Sequence, residues 1–495
     1  MGYVEGADRN QILLLPESVE EYISAENPVR VIDAYVDSLD LREMNFSKSE
    51  TKSTGRPPYS PHDLLKLYVY GYMNKVRSSR RLEAETKRNL EVIWLMKKLS
   101  PDHKTIARFR HDNAMVLKEV FRDFVKLCMK LNLYGKELVA IDGSKFRAVN
   151  SKDRNFNQEK LRERIARLDT RIAEYISELD AADNAEAVSE QAKTSDEIKD
   201  LVAELKTRRQ TYQSYMDELK ENGETQKSLT DPDSRRMMSN GKTEVCYNVQ
   251  SAVDSKNRMI VDFDVTNSAQ DHHYLSSMAI SSADALGVES IKAAADNGYA
   301  SGTDAAVCLM NGIIPHIAGM DSDICLPVAS EDGNADTVQK ITKQHNGRCV
   351  YLADRNIAIC PMGNILYPGS YKKRNSSARF YNGKACAACL CKCTESRYKD
   401  FEIRMPKSAF SKVYNDKDLI IKQVRVTANK DIIRKRKTIV EHPFGTIKRS
   451  MDAGYLLTKR LPNVAGEFSI TFLAYNIKRA INILGSKRLL EAIET

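Results

Sequence analysis

The chain has 495 residues, a net charge of +9 and a pI near 8.8, with 42% hydrophobic and 29% charged residues. That size allows roughly two to four domains and a large buried core, and the mild basic excess favours polyanionic partners without proving one. No apolar run reaches the ~20 residues that span a bilayer, so no membrane partner is expected.

Met1–Asn10 is polar and lacks the apolar core of a signal peptide. A cytoplasmic location follows as an expectation, with the ten cysteines acting as thiols or metal ligands rather than disulfides.

Residues 1–135 read as a helical domain. Ser60-Pro61 is a helix start, Ser as N-cap and Pro at the first helical position. Leu64, Leu65, Tyr68, Val69 and Tyr72 then form one apolar face. Ser100-Pro101 repeats the signal ahead of Thr105–His111, and Arg77-Ser78-Ser79-Arg80-Arg81 lies between the two. Short helices this basic fit a helix-turn-helix type of DNA-contacting module. Its candidate DNA contacts are Arg80, Arg81, Arg108 and Arg110. A plain bundle with solvated basic faces is the alternative.

Residues 137–142 read as a short buried strand ending in an acid, within a first core piece at 136–154. From 155 to 228, Leu161, Ile165, Leu168, Ile172 and Ile176 recur at heptad-like spacing, as do Ile198, Val202, Leu205, Tyr212 and Met216. Two such arms with a polar link predict an antiparallel helical hairpin, and a dimerising coiled coil is the rival reading.

Strand signals return at Glu244–Val253 and Met259–Thr266, followed by a helix at His272–Leu286 and a strand at Ser290–Ala295. A helix at Thr303–Met310 and a strand at Ile313–Ala318 complete the core at 229–319. Three antiparallel strands followed by parallel crossovers predict an α/β fold, a mixed sheet of the ribonuclease H-like kind. Residues 320–430 read as an irregular, cysteine-rich insertion. The last region, 431–495, is read as helices starting near Val440 and at Ala465–Leu484.

Three acids stand out. Asp142, before Gly143, and Asp296, before Asn297-Gly298, are each expected where a buried strand ends, and ligand sites collect at such ends. Glu441 follows the basic run Arg434–Lys437 and is read as sitting at a helix start. A carboxylate among so many bases would repel the phosphate they attract, unless a metal ion lies between. Three such acids fit an oxygen-rich divalent cation site for phosphoryl transfer. Asp271 and His272 border the same region and are read as structural. In the insertion, Cys386, Cys389, Cys391 and Cys393, with Cys360 upstream, suit a soft ion. Cys360, Cys386, Cys389 and Cys393 form one candidate structural zinc set.

These segments together resemble a bacterial insertion-sequence DDE transposase. The resemblance is carried by Arg56–Leu67, Asp102–Arg110, Val139–Lys145, Asp231–Met237, Tyr247–Asp254, Val265–Asp271, Ala294–Ala300, Val440–Arg449 and Phe472–Arg479. It implies that Asp142, Asp296 and Glu441 are catalytic and bind two Mg²⁺ (or Mn²⁺) ions. It also implies that Arg436 and Lys448 contact DNA. Glu441 and Lys448, seven residues apart, are expected on one helix face. The implied partners are double-stranded DNA, at the element's terminal inverted repeats and at the target, and a second copy in a homodimer. The implied setting is the bacterial nucleoid.

The implied reaction has a water cut the element end. The freed 3′-hydroxyl then attacks target DNA, with no covalent enzyme intermediate. The family's tyrosine, three residues before its Arg, is Ile433 here. Two other readings share the fold: a DNA-binding regulator that has lost catalysis, and a ribonuclease H-like nuclease.

Overall fold

In the computed structural model the described residues are 18–50, 57–150, 154–183, 195–239, 241–329, 349–352, 355–369, 377–389, 401–404 and 419–494. The N-terminal helices are α1 (Pro28–Asp37), α2 (Pro61–Met73), α3 (Ser79–Arg88), α4 (Leu90–Leu95), α5 (His103–Asp112) and α6 (Leu117–Lys130). Asn27, Ser60 and Asn89 each cap a helix by accepting a backbone N–H. The start of α5 departs from the expected Ser-Pro signal. Asp102 caps it, accepting from the amides of Lys104 and Thr105 at 2.8 and 2.9 Å. The Ser100 hydroxyl is instead engaged with Thr86 at 2.8 Å.

Next come β1 (Leu138–Arg147), β2 (Asn155–Asn157), α7 (Gln158–Asp183), α8 (Ser195–Glu221) and β3 (Gln226–Ser228). α7 and α8 lie antiparallel: Arg164 meets Tyr212 near one end, and Asp169 meets Arg209 further along. Leu161, Ile165, Leu168, Met216 and Leu219 are buried between them, and β2 pairs with β3 at their base.

β4 (Arg235–Ser239), β5 (Lys242–Asp254), β6 (Ile260–Thr266), α9 (Tyr274–Leu286), β7 (Ile291–Ala295), α10 (Gly302–Met310) and β8 (Ile313–Ile317) follow. With β1, these strands form a six-stranded mixed sheet ordered β4-β5-β1-β7-β8, with β6 also on β5. β5 is antiparallel to β1, β4 and β6, whereas β7 runs parallel to β1 and β8. The parallel pairs require crossovers, which α9 and α10 supply.

β1 is longer than the expected 137–142. Its ladder with β5 continues unbroken from Val139↔Asp254 to Arg147↔Cys246, so Gly143 extends the strand instead of turning it. A full-length partner strand overrides the local turn preference of glycine.

In its described residues the region 320–430 is not irregular. β9 (Asp321–Ala329), β10 (Cys349–Leu352), β11 (Ile357–Ile359), β12 (Ile365–Pro368), β13 (Ser377–Tyr381), a short helix α11 (Gly383–Ala387), β14 (Phe401–Arg404) and β15 (Leu419–Thr427) occupy it. Their seven-stranded antiparallel sheet is ordered β14-β13-β12-β11-β10-β15-β9. Most of its strands are short, and β9 pairs along its whole length with the distant β15, which local periodicity cannot register.

α12 (Lys430–Gly445), a π-type turn (Thr446–Ser450), α13 (Leu461–Leu484) and α14 (Ser486–Ile493) close the described chain. Asn429 caps α12 through the amides of Asp431 and Ile432. The helix therefore starts well before Val440, and Glu441 lies near its C-terminal end. The mostly buried α13 packs against α2, α6 and β6, joining the N-terminal helices to the sheet. A buried ion pair reinforces this joint, Arg77 Nη2 to Glu467 Oε1 at 2.6 Å.

Candidate active site

The sheet register builds the site. Ala140 of β1 is paired with Ala294 of β7. Side chains two residues on share a face, so Asp142 and Asp296 emerge side by side on neighbouring strands. Asp142 lies inside β1, just past its last pairing with β7, and its side chain is 25% exposed. Asp296 immediately follows β7 and caps the turn Asn297–Tyr299, its carboxylate accepting the Gly298 N–H at 2.8 Å.

Positive charge reaches Asp142 from α12, where Arg436 Nη1 stands 3.5 Å from its carboxylate. Burial pushes the Asp142 carboxyl up to about 6; Arg436 opposes this, and the charges of Asp296 and Asp271 add to it.

Asp271 therefore belongs to the site, although the sequence read it as structural. Its carboxylate accepts from Asn248 Nδ2 at 2.6 Å, Gln250 Nε2 at 2.7 Å and Lys145 Nζ at 3.2 Å. A Cβ on Gly143 would come within 2.7 Å of Asp271 and 2.5 Å of Gln250, so this glycine admits the close approach. Tyr299 donates to Gln250 Oε1. Burial, then the charges of Asp271, Asp142 and Asp296, raise its phenol far above the ordinary range. It stays a neutral donor.

Lys145, Asn248, Gln250 and Tyr299 were not singled out from the sequence. The signal was present: two amides alternating with Tyr247 and Val249 in a strand buried on both faces.

Lys448 is fixed against β1, donating to Ser144 Oγ at 2.6 Å and the Lys145 carbonyl at 3.2 Å, over the Phe146 ring at 4.5 Å. Burial lowers its ammonium pKa. Glu441 lies near the end of α12, and Lys448 lies in the π-type turn that continues it. Glu441 is 63% exposed and stands 3.8 Å from Lys437. Five residues from Arg436 on the helix, it is turned well away from the arginine that reaches Asp142.

Among the described residues no three His, Cys, Asp or Glu side chains are gathered around one metal position. Asp142 and Asp296 supply two hard oxygen donors, and their crowding with Asp271 leaves them short of positive charge. Both features suit a divalent cation.

Of the expected DNA contacts, Arg80 and Arg81 are exposed, and Arg108 is exposed beside Asp112 at 3.6 Å. Arg110 is a correction. It is buried, donates to the Tyr72 hydroxyl at 2.9 Å and lies over the Tyr68 ring, so it packs the helical core and cannot face DNA. Of the candidate zinc ligands, Cys360 is buried in the second sheet's small core and Cys386 packs against it, while Cys389 is half-buried. Cys391 and Cys393 lie outside the described residues. The same core contains Cys325 and Cys349, which the spacing did not suggest. No described helix is long and apolar enough to cross a membrane.

Comparison with known families places the chain. Residues 17–112 match the family described as Transposase domain (DUF772), and residues 134–477 match the family described as Transposase DDE domain. The second match covers well over half of the chain, which therefore belongs to the DDE transposase family of insertion sequences. Members of that family act on DNA. No curated protein matches the sequence. Among solved structures, the chain is similar to the piggyBac transposase synaptic complex with hairpin DNA, seen by cryo-EM, at 8% identity. That match covers 95% of this chain and 80% of the other with a TM-score of 0.29.

Proposed function

We propose that the chain is a working transposase with a ribonuclease H-like core, which binds insertion-sequence ends, cuts the DNA and joins the 3′ end to target DNA. The observation that carries this reading is the Asp142–Asp296 pair on adjacent strands, crowded with negative charge and faced by Arg436. Asp142 and Asp296, with Glu441 as the third acid by family resemblance, would hold two Mg²⁺ or Mn²⁺ ions. When bound, these supply activation of the attacking oxygen and neutralisation of the phosphate.

The chain's own residues position the DNA. Arg436 neutralises a phosphate oxygen beside Asp142. Lys448 uses two of its three protons on Ser144 and the Lys145 carbonyl and offers the third to a neighbouring phosphate. Asp271, held by Lys145, Asn248 and Gln250, ties β1 to β5 next to Asp142. Arg80, Arg81 and Arg108 contact the duplex, and two copies bring two DNA ends together.

The exposure of Glu441, turned away from Arg436, favours a second reading: a DNA-binding regulator on the same fold. Incubation of the wild-type protein with DNA flanking its coding region separates the two. The first reading expects strand cleavage with Mg²⁺ and none with a chelator. Binding without cleavage at any divalent cation concentration overturns it.

A further inference from the structure

β1 continues beyond Asp142 into a second polar cleft. It encloses about 280 Å³ where the end of β1 and the start of β5 meet the base of the α7–α8 pair. Arg147, Asn150, Asn155, Lys160, Arg236 and Glu244 line it. Three cations face one acid. Arg147 is 65% exposed and lies 3.6 Å from Glu244, and Arg236 is exposed. Lys160 donates to the Asn155 carbonyl at 2.8 Å and lies over the Phe156 ring.

Asn155 is the telling residue. It is only 4% exposed, yet among the described residues neither its side-chain oxygen nor its nitrogen has a hydrogen-bond partner. A buried amide left unpaired is costly, and such a group marks a place where a polar ligand is missing. The basic lining selects an anion.

We propose that this cleft binds a backbone phosphate of DNA; the assignment of DNA as the ligand rests on the function proposed above. Asn155 Nδ2 donates to a phosphate oxygen. Arg147 and Arg236 neutralise the charge, and Arg147 exchanges Glu244 for the DNA. Asp142 and Arg147 are five residues apart on β1, so their side chains leave opposite faces of the strand and the cleft is a contact separate from the acid pair. Any DNA sequence will do, because a phosphate carries no sequence information.

The test is metal-free binding of a fluorescently labelled DNA duplex across a salt series, read by anisotropy. Arg147→Ala and Arg236→Ala should each weaken binding several-fold and flatten the slope of log K against log salt, by ~0.9 for each phosphate that is no longer neutralised. Glu244→Gln should tighten binding, a gain that mere damage to the fold would not produce. Unchanged affinity and slope in both arginine variants, or weaker binding by Glu244→Gln, overturns the proposal. Because binding is read without metal, the two readings fail separately. A wild-type protein that cuts DNA while the arginine variants keep the full slope removes the cleft alone. One that never cuts while those variants lose slope removes the catalytic reading alone.

Discussion

Asp142 and Asp296 are carried by strands, Glu441 by a helix, and their surroundings differ accordingly. The strand acids are fixed by the β1–β7 register, and Asp142 is largely covered and crowded by like charge. Glu441 is largely exposed, beside Lys437, near the C-terminal end of α12, where the helix dipole disfavours an acid. The strand pair is built into the core whether or not DNA is present. The helix acid has only the exposed i,i+4 pair with Lys437 to hold it.

The largest expected effect removes the strand pair. Asp142→Ala or Asp296→Ala should lower the rate of DNA end cleavage by at least ~10²–10³-fold, the usual cost of losing a group that stabilises transition-state charge. Duplex affinity measured without metal should hold. A loss confined to affinity would mean that the pair serves binding only.

The second effect is on stability. The Asp142 carboxyl titrates near 6 in the fold against 3.8 ordinarily, so the folded chain binds its proton more tightly than the unfolded chain. Metal-free stability should therefore be higher at low pH and fall as pH rises from about 4 to about 6. A divalent cation that binds only the folded state should offset that fall above about pH 6 and do little near pH 4. Thermal melts with Mg²⁺ and with a chelator check this, and Asp142→Asn should remove the pH step.

A smaller effect sorts the N-terminal arginines. Arg110→Ala should destabilise the chain by about 1–3 kcal/mol, because it strips the buried Tyr72 hydroxyl of its partner. Arg80→Ala and Arg81→Ala should leave the melting temperature within a degree or two and weaken DNA binding. The smallest change is Ile433→Tyr, which should raise end cleavage by no more than a few-fold if the family's tyrosine adds a contact here. Paired melts and binding curves resolve the first two, and cleavage rates the third.

Much of this was legible in the residues. The mixed sheet could be read from alternation and helix caps, and Asp296 was placed at a strand end because Asn297-Gly298 turns the chain there. What escaped depends on partners far away in sequence. β1 runs past Gly143 because β5 pairs with it throughout. The second sheet depends on β9 meeting β15. Arg110 looks like any other basic helix residue until Tyr68 and Tyr72 fold over it. Asp271 was discounted because nothing local shows that Asn248, Gln250 and Lys145 converge on it. α12 starts earlier than expected because Asn429 caps it, a local signal that the basic run and its acid overshadowed.

The comparison is settled most directly by one variant. Cleavage of the DNA flanking the coding region, with Mg²⁺, is compared between the wild type and Glu441→Ala. If the helix acid completes the site begun by Asp142 and Asp296, Glu441→Ala binds DNA normally and does not cut it. Full cleavage by Glu441→Ala contradicts the assignment and leaves the strand pair to act without it.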